Sequence, residues 1–104
     1  MNIIFHPEAY DEMLESARYF EGKTPGLGLD LTTAIQESTR RILKFPESGS
    51  VERGKIRKSL VHGFPFTILY EARPNEIFIA AVMHQSKTRI LASPAEVTAL
   101  SVIH

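Results

Sequence analysis

Apolar residues change their spacing several times along this chain, and each change marks an element. Asn2 to Phe5 is a short apolar run stopped by His6-Pro7. A residue before proline avoids helical geometry, and proline suits a first helical turn, so a strand gives way to a helix there. Glu8 reinforces the helix start, because acids favour the amino end. From Glu8 to about Glu21, Ala9, Met13, Leu14, Ala17 and Phe20 recur three and four residues apart, with Asp11, Glu12, Glu15 and Arg18 between them. The pattern predicts an amphipathic helix whose Glu8, Glu12 and Glu15 form a solvated side. Gly22-Lys23-Thr24-Pro25-Gly26-Leu27-Gly28 is dense in chain-punctuating residues and reads as the loop of a helical hairpin. A second helix follows, from Leu27 or Asp30 to Lys44, with an inner stripe of Leu31, Ala34, Ile35, Ser38, Ile42 and Phe45. Arg40, Arg41 and Lys44 lie at its carbonyl end, and Phe45-Pro46 stops it.

The remainder changes to the two-residue period of strands. Glu47 to Gly54 is polar and reads as a loop, and Lys55 to Val61 as a strand of mixed basic and apolar residues. Between Phe64 and Arg73 the alternation is clean: Phe64, Phe66, Ile68, Tyr70 and Ala72 share one face, while Thr67, Glu71 and Arg73 share the other. Arg73-Pro74-Asn75-Glu76 forms a tight turn, and Ile77 to Met83 returns as the partner of a central antiparallel hairpin. That last run is apolar on both sides, which predicts an interior strand covered by the helices on one face and by a partner on the other. Ser93-Pro94 offers a start for a short helix in the tail from 89 to 104. The order β-α-α-β-β-β predicts an α+β fold, an antiparallel sheet packed on a two-helix hairpin, in one domain spanning 1–104.

Twelve Lys plus Arg balance twelve Asp plus Glu, so no global field draws the protein to nucleic acid or anionic membrane, and such binding needs a local patch. The lack of cysteine removes disulfides, thiolate chemistry and Cys-based zinc sites. The opening Met-Asn-Ile-Ile-Phe-His-Pro lacks the pattern of a signal peptide, and no run reaches the roughly 18 apolar residues of a membrane span. The expectation is a cytoplasmic protein with no membrane association.

Several joints of this order are similar to the RelE/ParE family of toxins, from Phe5 to about Arg89. Phe5-His6-Pro7-Glu8-Ala9 resembles the family's strand-to-helix entry, Pro25-Gly26-Leu27-Gly28 its helix-hairpin loop, and Ile42 to Pro46 the end of its second helix. The most specific part is the train of Gly54-Lys55-Ile56-Arg57, then Phe64-Pro65-Phe66-Thr67-Ile68-Leu69-Tyr70-Glu71, then Ile77 to His84 and finally Arg89. The resemblance implies the toxin of a toxin-antitoxin (plasmid stabilisation) system, held in a hetero-oligomer by a cognate antitoxin. It leaves two activities open: poisoning of DNA gyrase, as in ParE-like members, or cutting of messenger RNA on the ribosome, as in RelE-like members. An inactive relative kept as a complex component is a third reading.

Metal-free RNA cleavage needs a base for the 2′-hydroxyl, cations for the phosphate and an acid for the leaving oxygen. Arg57, His84 and Arg89, with Lys87, are the candidates for that set. Arg53, Lys55, Arg57 and Lys58, together with Lys87 and Arg89, are the candidates for binding a target or an acidic antitoxin. The structural alternatives are a solvated basic face for the cluster and, for His84, a strand-end histidine bonded to backbone or to Tyr70. Tyr70 itself reads as core, His6 as a helix cap and His62 as a turn residue. No metal site and no cofactor-binding loop is expected. Two departures favour the ParE-like branch. Thr67 stands where RelE-like nucleases commonly carry an arginine, and Ile90 to Pro94 supplies no titratable group after the final arginine.

Overall fold

The computed structural model describes residues 1–85. The predicted tail, Lys87 and Arg89 lie outside the described residues. The elements are β1 (Asn2–Phe5), α1 (Pro7–Lys23), α2 (Leu27–Lys44), β2 (Ser50–Arg53), β3 (Ile56–Leu60), β4 (Phe66–Ala72) and β5 (Glu76–His84). They build a five-stranded sheet in the order β1-β5-β4-β3-β2, with the helical hairpin packed on one face.

The turn from β1 into α1 is fixed locally. His6 caps the helix, its Nδ1 accepting the Glu8 amide at 3.0 Å, and Pro7 occupies the first turn. The hairpin loop is shorter than the run of punctuating residues predicts, because α1 continues to Lys23 and α2 begins at Leu27. Gly26 opens α2 at φ +89 without a side-chain cap of its own. Glu21 supplies one from the preceding helix: its carboxylate accepts from Gly26 N at 2.9 Å and Gly28 N at 3.0 Å. Two orphan amides of the helix end are thereby met by a negative charge, which the helix dipole favours. Gly28 is required by closeness, since a Cβ there would come within 2.5 Å of the Ala17 carbonyl oxygen. At the other end of α2, Leu31, Ile35, Ser38 and Ile42 are buried as the stripe predicts, but Phe45 is not part of it. Phe45 sits at the C-cap with 58% of its surface exposed, because its backbone has left helical geometry at φ -134, ψ 76.

The sheet departs from the expected one in two places. Glu47 to Gly54 is not all loop: Ser50–Arg53 pairs antiparallel with β3, making a hairpin closed by Gly54 at φ +50. Polar composition hid this strand, since all four of its residues are exposed at the sheet end. The sheet is also mixed, because β1 runs parallel to β5, with Asn2 opposite Glu76 and Phe5 opposite Ile79. The predicted central hairpin is β4–β5, joined at Arg73-Pro74-Asn75, where Arg73 holds Glu76 at 3.0 Å and Glu71 at 3.3 Å.

β5 contains a bulge. Leu69 faces Ala81 and Tyr70 faces Ile79, so Ala80 has no opposite residue on β4. The parity of β5 switches there. Ile77, Ile79 and Val82 join Phe66, Ile68 and Tyr70 in the core under the helices, whereas Phe78, Ala80, Ala81 and Met83 join Leu69 and Ile56 in a second buried cluster. Each fully buried Ile, Leu, Val or Phe contributes about 1.5–3 kcal/mol. The sheet thus has a buried cluster on each of its two faces.

Beyond Ile79, β1 no longer flanks β5, because the chain has turned into α1; His6 N still donates to Ile79 O at 2.9 Å. Past the end of β1 the helix supplies an acceptor: Val82 N donates to the Glu12 carboxylate at 3.2 Å. Glu12 is therefore a sheet ligand and not part of the solvated side of α1. Replacing Glu12 by Ala leaves the Val82 amide without that acceptor and is expected to cost about 1–3 kcal/mol. Glu15→Ala, one turn along and exposed, is expected to stay within about 0.5 kcal/mol of the parent. Urea denaturation of both variants checks the pair.

Candidate functional site

The basic cluster lies on the β2–β3 ribbon. Arg53 and Lys55 flank its exposed turn, and Lys58 is exposed on β3, where it meets Glu52 across the ribbon at 3.6 Å. Strand alternation divides the cluster. Arg57 stands opposite Tyr70 and faces the helix side, while Lys58 stands opposite Leu69 and faces the other. Arg53, Lys55 and Lys58 are therefore presented outward, and Arg57 is drawn inward.

Arg57 has a defined structural task. Its Nη1 donates to the carbonyl oxygens of Gly49 at 2.8 Å and Glu47 at 3.2 Å. Tyr70, on the neighbouring strand, holds the same loop from beneath: its hydroxyl donates to Pro46 O at 2.9 Å and accepts from Gly49 N at 3.0 Å. A Cβ on Gly49 would approach the Tyr70 hydroxyl to 2.6 Å and Lys58 O to 2.7 Å. The α2–β2 connection is thus held onto the sheet by two side chains that bond its backbone. Tyr70 is core, as its spacing predicts, but its hydroxyl makes it a loop anchor as well. It does not bond His84, which resolves one of the alternatives for that histidine.

His84 stands at the far end of β5, opposite Phe66, with the two rings edge to face at 5.4 Å. Arg57 and His84 are separated by two strand spacings and the four-residue offset between Tyr70 and Phe66 on β4. At about 3.3 Å per residue and about 4.8 Å between strands, their Cα atoms lie about 16 Å apart. The described residues do not assemble Arg57 and His84 into one reacting centre. Arg89 and Lys87 lie outside them.

What His84 does join is a cleft of about 590 Å³ between the last turns of α1 and the ends of β4 and β5, lined by Glu15, Ser16, Tyr19, Phe20, Phe66 and His84. Its wall is a relay of rings in edge-to-face contact: Tyr19 to Phe20 at 5.5 Å, Phe20 to Phe66 at 6.0 Å, and Phe66 to His84. Sequence reading missed this grouping. The α1 members are legible as a helix face, but His84 reaches them only because the bulge turns it to the helix side. Nothing in a run of Ile, Phe, Ala, Val and Met marks where parity changes.

Among the described residues no group of three His, Asp or Glu side chains is placed to hold a metal ion, and no helix is long and apolar enough to cross a membrane. Tyr70→Phe removes both hydroxyl bonds and strands the buried Gly49 amide, at an expected cost of about 1–3 kcal/mol. Thermal unfolding checks this, and faster amide exchange at Gly49 is the expected local signature. No protein-family model matches this chain, and no curated protein matches it.

Proposed function

We propose that the chain is a cytoplasmic toxin of the RelE/ParE type that acts by binding, with DNA gyrase as its target, and that an antitoxin neutralises it. The observation that carries the preference for binding over RNA cleavage is the separation of Arg57 from His84. The guanidinium that the nuclease reading assigns to phosphate is engaged with two loop carbonyls, and the Cα of the histidine lies about 16 Å from that of Arg57. The family part of the reading rests on the resemblance of the sequence at its joints. The β-α-α-β-β-β order with an added β2, the capped His6-Pro7 entry and the close-packed Gly28 hairpin are in keeping with it.

The outward cations Arg53, Lys55 and Lys58 on a ribbon at the sheet end form the surface that acidic antitoxin or target residues meet. Exposed charges of this kind govern encounter rate and salt dependence more than final affinity. The expected result of Lys55→Glu is therefore slower association with the antitoxin and a shallower salt dependence, with dissociation little changed. Surface plasmon resonance at several ionic strengths reads both.

The deciding experiment is inducible expression without antitoxin, scored for growth arrest, for supercoiling by purified gyrase and for cuts in messenger RNA by primer extension. Growth arrest with blocked supercoiling and intact messages is expected, and it is expected to persist in His84→Ala. Codon-phased cuts with normal supercoiling, lost in His84→Ala, would replace this reading with the ribosome-dependent nuclease. Unimpaired growth would leave an inactive complex component.

A further inference from the structure

The two edges of the sheet are built differently. β2 forms one of them, and it carries features that keep an edge from pairing: the charged residues Glu52 and Arg53, and an irregular register between Val51 and Arg53. β1 forms the other. Its residues Asn2–Phe5 include no charge and no proline, and their register with β5 is unbroken. Shortness is the only protection that β1 has.

The backbone bonds show which groups of β1 face outward. Asn2 N reaches Asn75 O at 3.5 Å and His6 N donates to Ile79 O at 2.9 Å, so the even-numbered residues are the ones bonded to the β5 side. Successive residues of a strand turn their N–H and C=O to opposite sides, so Ile3 and Phe5 direct both groups to the open edge. Among the described residues no strand pairs with that edge. The side chains around it are apolar. Ile4, opposite Phe78, is 40% exposed, and Tyr10, 47% exposed, meets the Phe5 ring edge to face at 5.9 Å.

We propose that this edge pairs with the β1 edge of a second copy of the chain, antiparallel about a two-fold axis at Ile4. The register follows from the outward groups. Ile3 of one copy stands opposite Phe5 of the other and exchanges both N–H···O bonds with it, and the two-fold repeats the pair. Every outward group of Ile3 and Phe5 is then met. The two Ile4 residues face each other as the closer, non-hydrogen-bonded pair, with Cα atoms about 4.5 Å apart, and each covers the other's exposed side chain. Pairing β1 with β2 of another copy would set it against the charged, irregular edge, and head-to-tail contacts of that kind do not close at two copies. So short an edge buries well under the roughly 1,200 Å² of a stable interface, and the dimer is expected to form only at about 0.1–1 mM. The inference does not rest on the gyrase reading or on the basic ribbon.

Sedimentation equilibrium of the full chain tests it, and a monomer–dimer equilibrium is expected as the concentration rises from about 10 µM to about 1 mM. Ile4→Lys sets like charges face to face on the axis and is expected to weaken the dimer about tenfold, while circular dichroism stays that of the parent because the position is exposed. The chain has no cysteine, so Ile4→Cys introduces a single thiol, and the Ile4 pair lies within the Cα separation of a disulfide. Mild oxidation is expected to cross-link Ile4→Cys faster than Val51→Cys, which places the thiol on the opposite edge. A monomer at every concentration, a dimer that Ile4→Lys leaves intact, cross-linking of Ile4→Cys no faster than of Val51→Cys, or an edge that takes up an extended segment of a different protein and never a second copy would each overturn the proposal.

Discussion

One unpaired residue in β5 determines what the ends of this sheet can do. An antiparallel ladder has a strict period of two, and Ala80 breaks it by standing between Ile79 and Ala81 without an opposite on β4. Every side chain after it changes face. Val82 is sent into the core beneath α1, Met83 into the second cluster, and His84 to the helix side at the mouth of the cleft. With an unbroken register His84 would share a face with Phe78, and the ring relay from Tyr19 would end at Phe66. The bulge also sits where β1 has ended, so the edge of β5 needs another acceptor. Glu12 supplies it, and the helix is thereby registered on the strand by a charged hydrogen bond as well as by apolar packing.

The elements legible in the sequence are those with a sharp local cause. His6-Pro7 announces the strand-to-helix change, the three- and four-residue spacing shows both helices, and the alternation from Phe66 to Ala72 shows β4 with its faces correctly assigned. The cause of each miss is equally local. Ser50–Arg53 is a strand by hydrogen bonding alone, with no buried face to impose a pattern. Phe45 is apolar and in phase with the α2 stripe, yet the helix has ended before its side chain is placed. Glu12 is in phase with the acidic side of α1, but a carboxylate that accepts a sheet amide is indistinguishable in sequence from one that meets water.

Candidate chemistry was legible in part, for the same reason. The identity of Arg57 and His84 as notable polar residues follows from their place beside core strands, but their relation depends on register, which composition does not carry. Arg57 lies opposite Tyr70, and the two work together on one loop, binding Glu47, Gly49 and Pro46 by their backbone atoms. The α2–β2 connection is thus among the better-determined parts of the surface although it has no regular structure. That loop leads directly into the β2–β3 ribbon, on which Lys55 and Lys58 are exposed.

Twelve acids and twelve bases give the whole chain a formal charge of +0, yet Arg53, Lys55, Arg57 and Lys58 stand together on the β2–β3 ribbon. A molecule without a monopole still has a dipole when its charges are segregated, and the field of a dipole falls off faster with distance. Partners are consequently not drawn in from afar. Within a Debye length, about 8–10 Å at cellular ionic strength, the field turns the molecule and does not pull it. Each face then selects the sign of what it meets, and orientation is settled only at the last stage of an encounter.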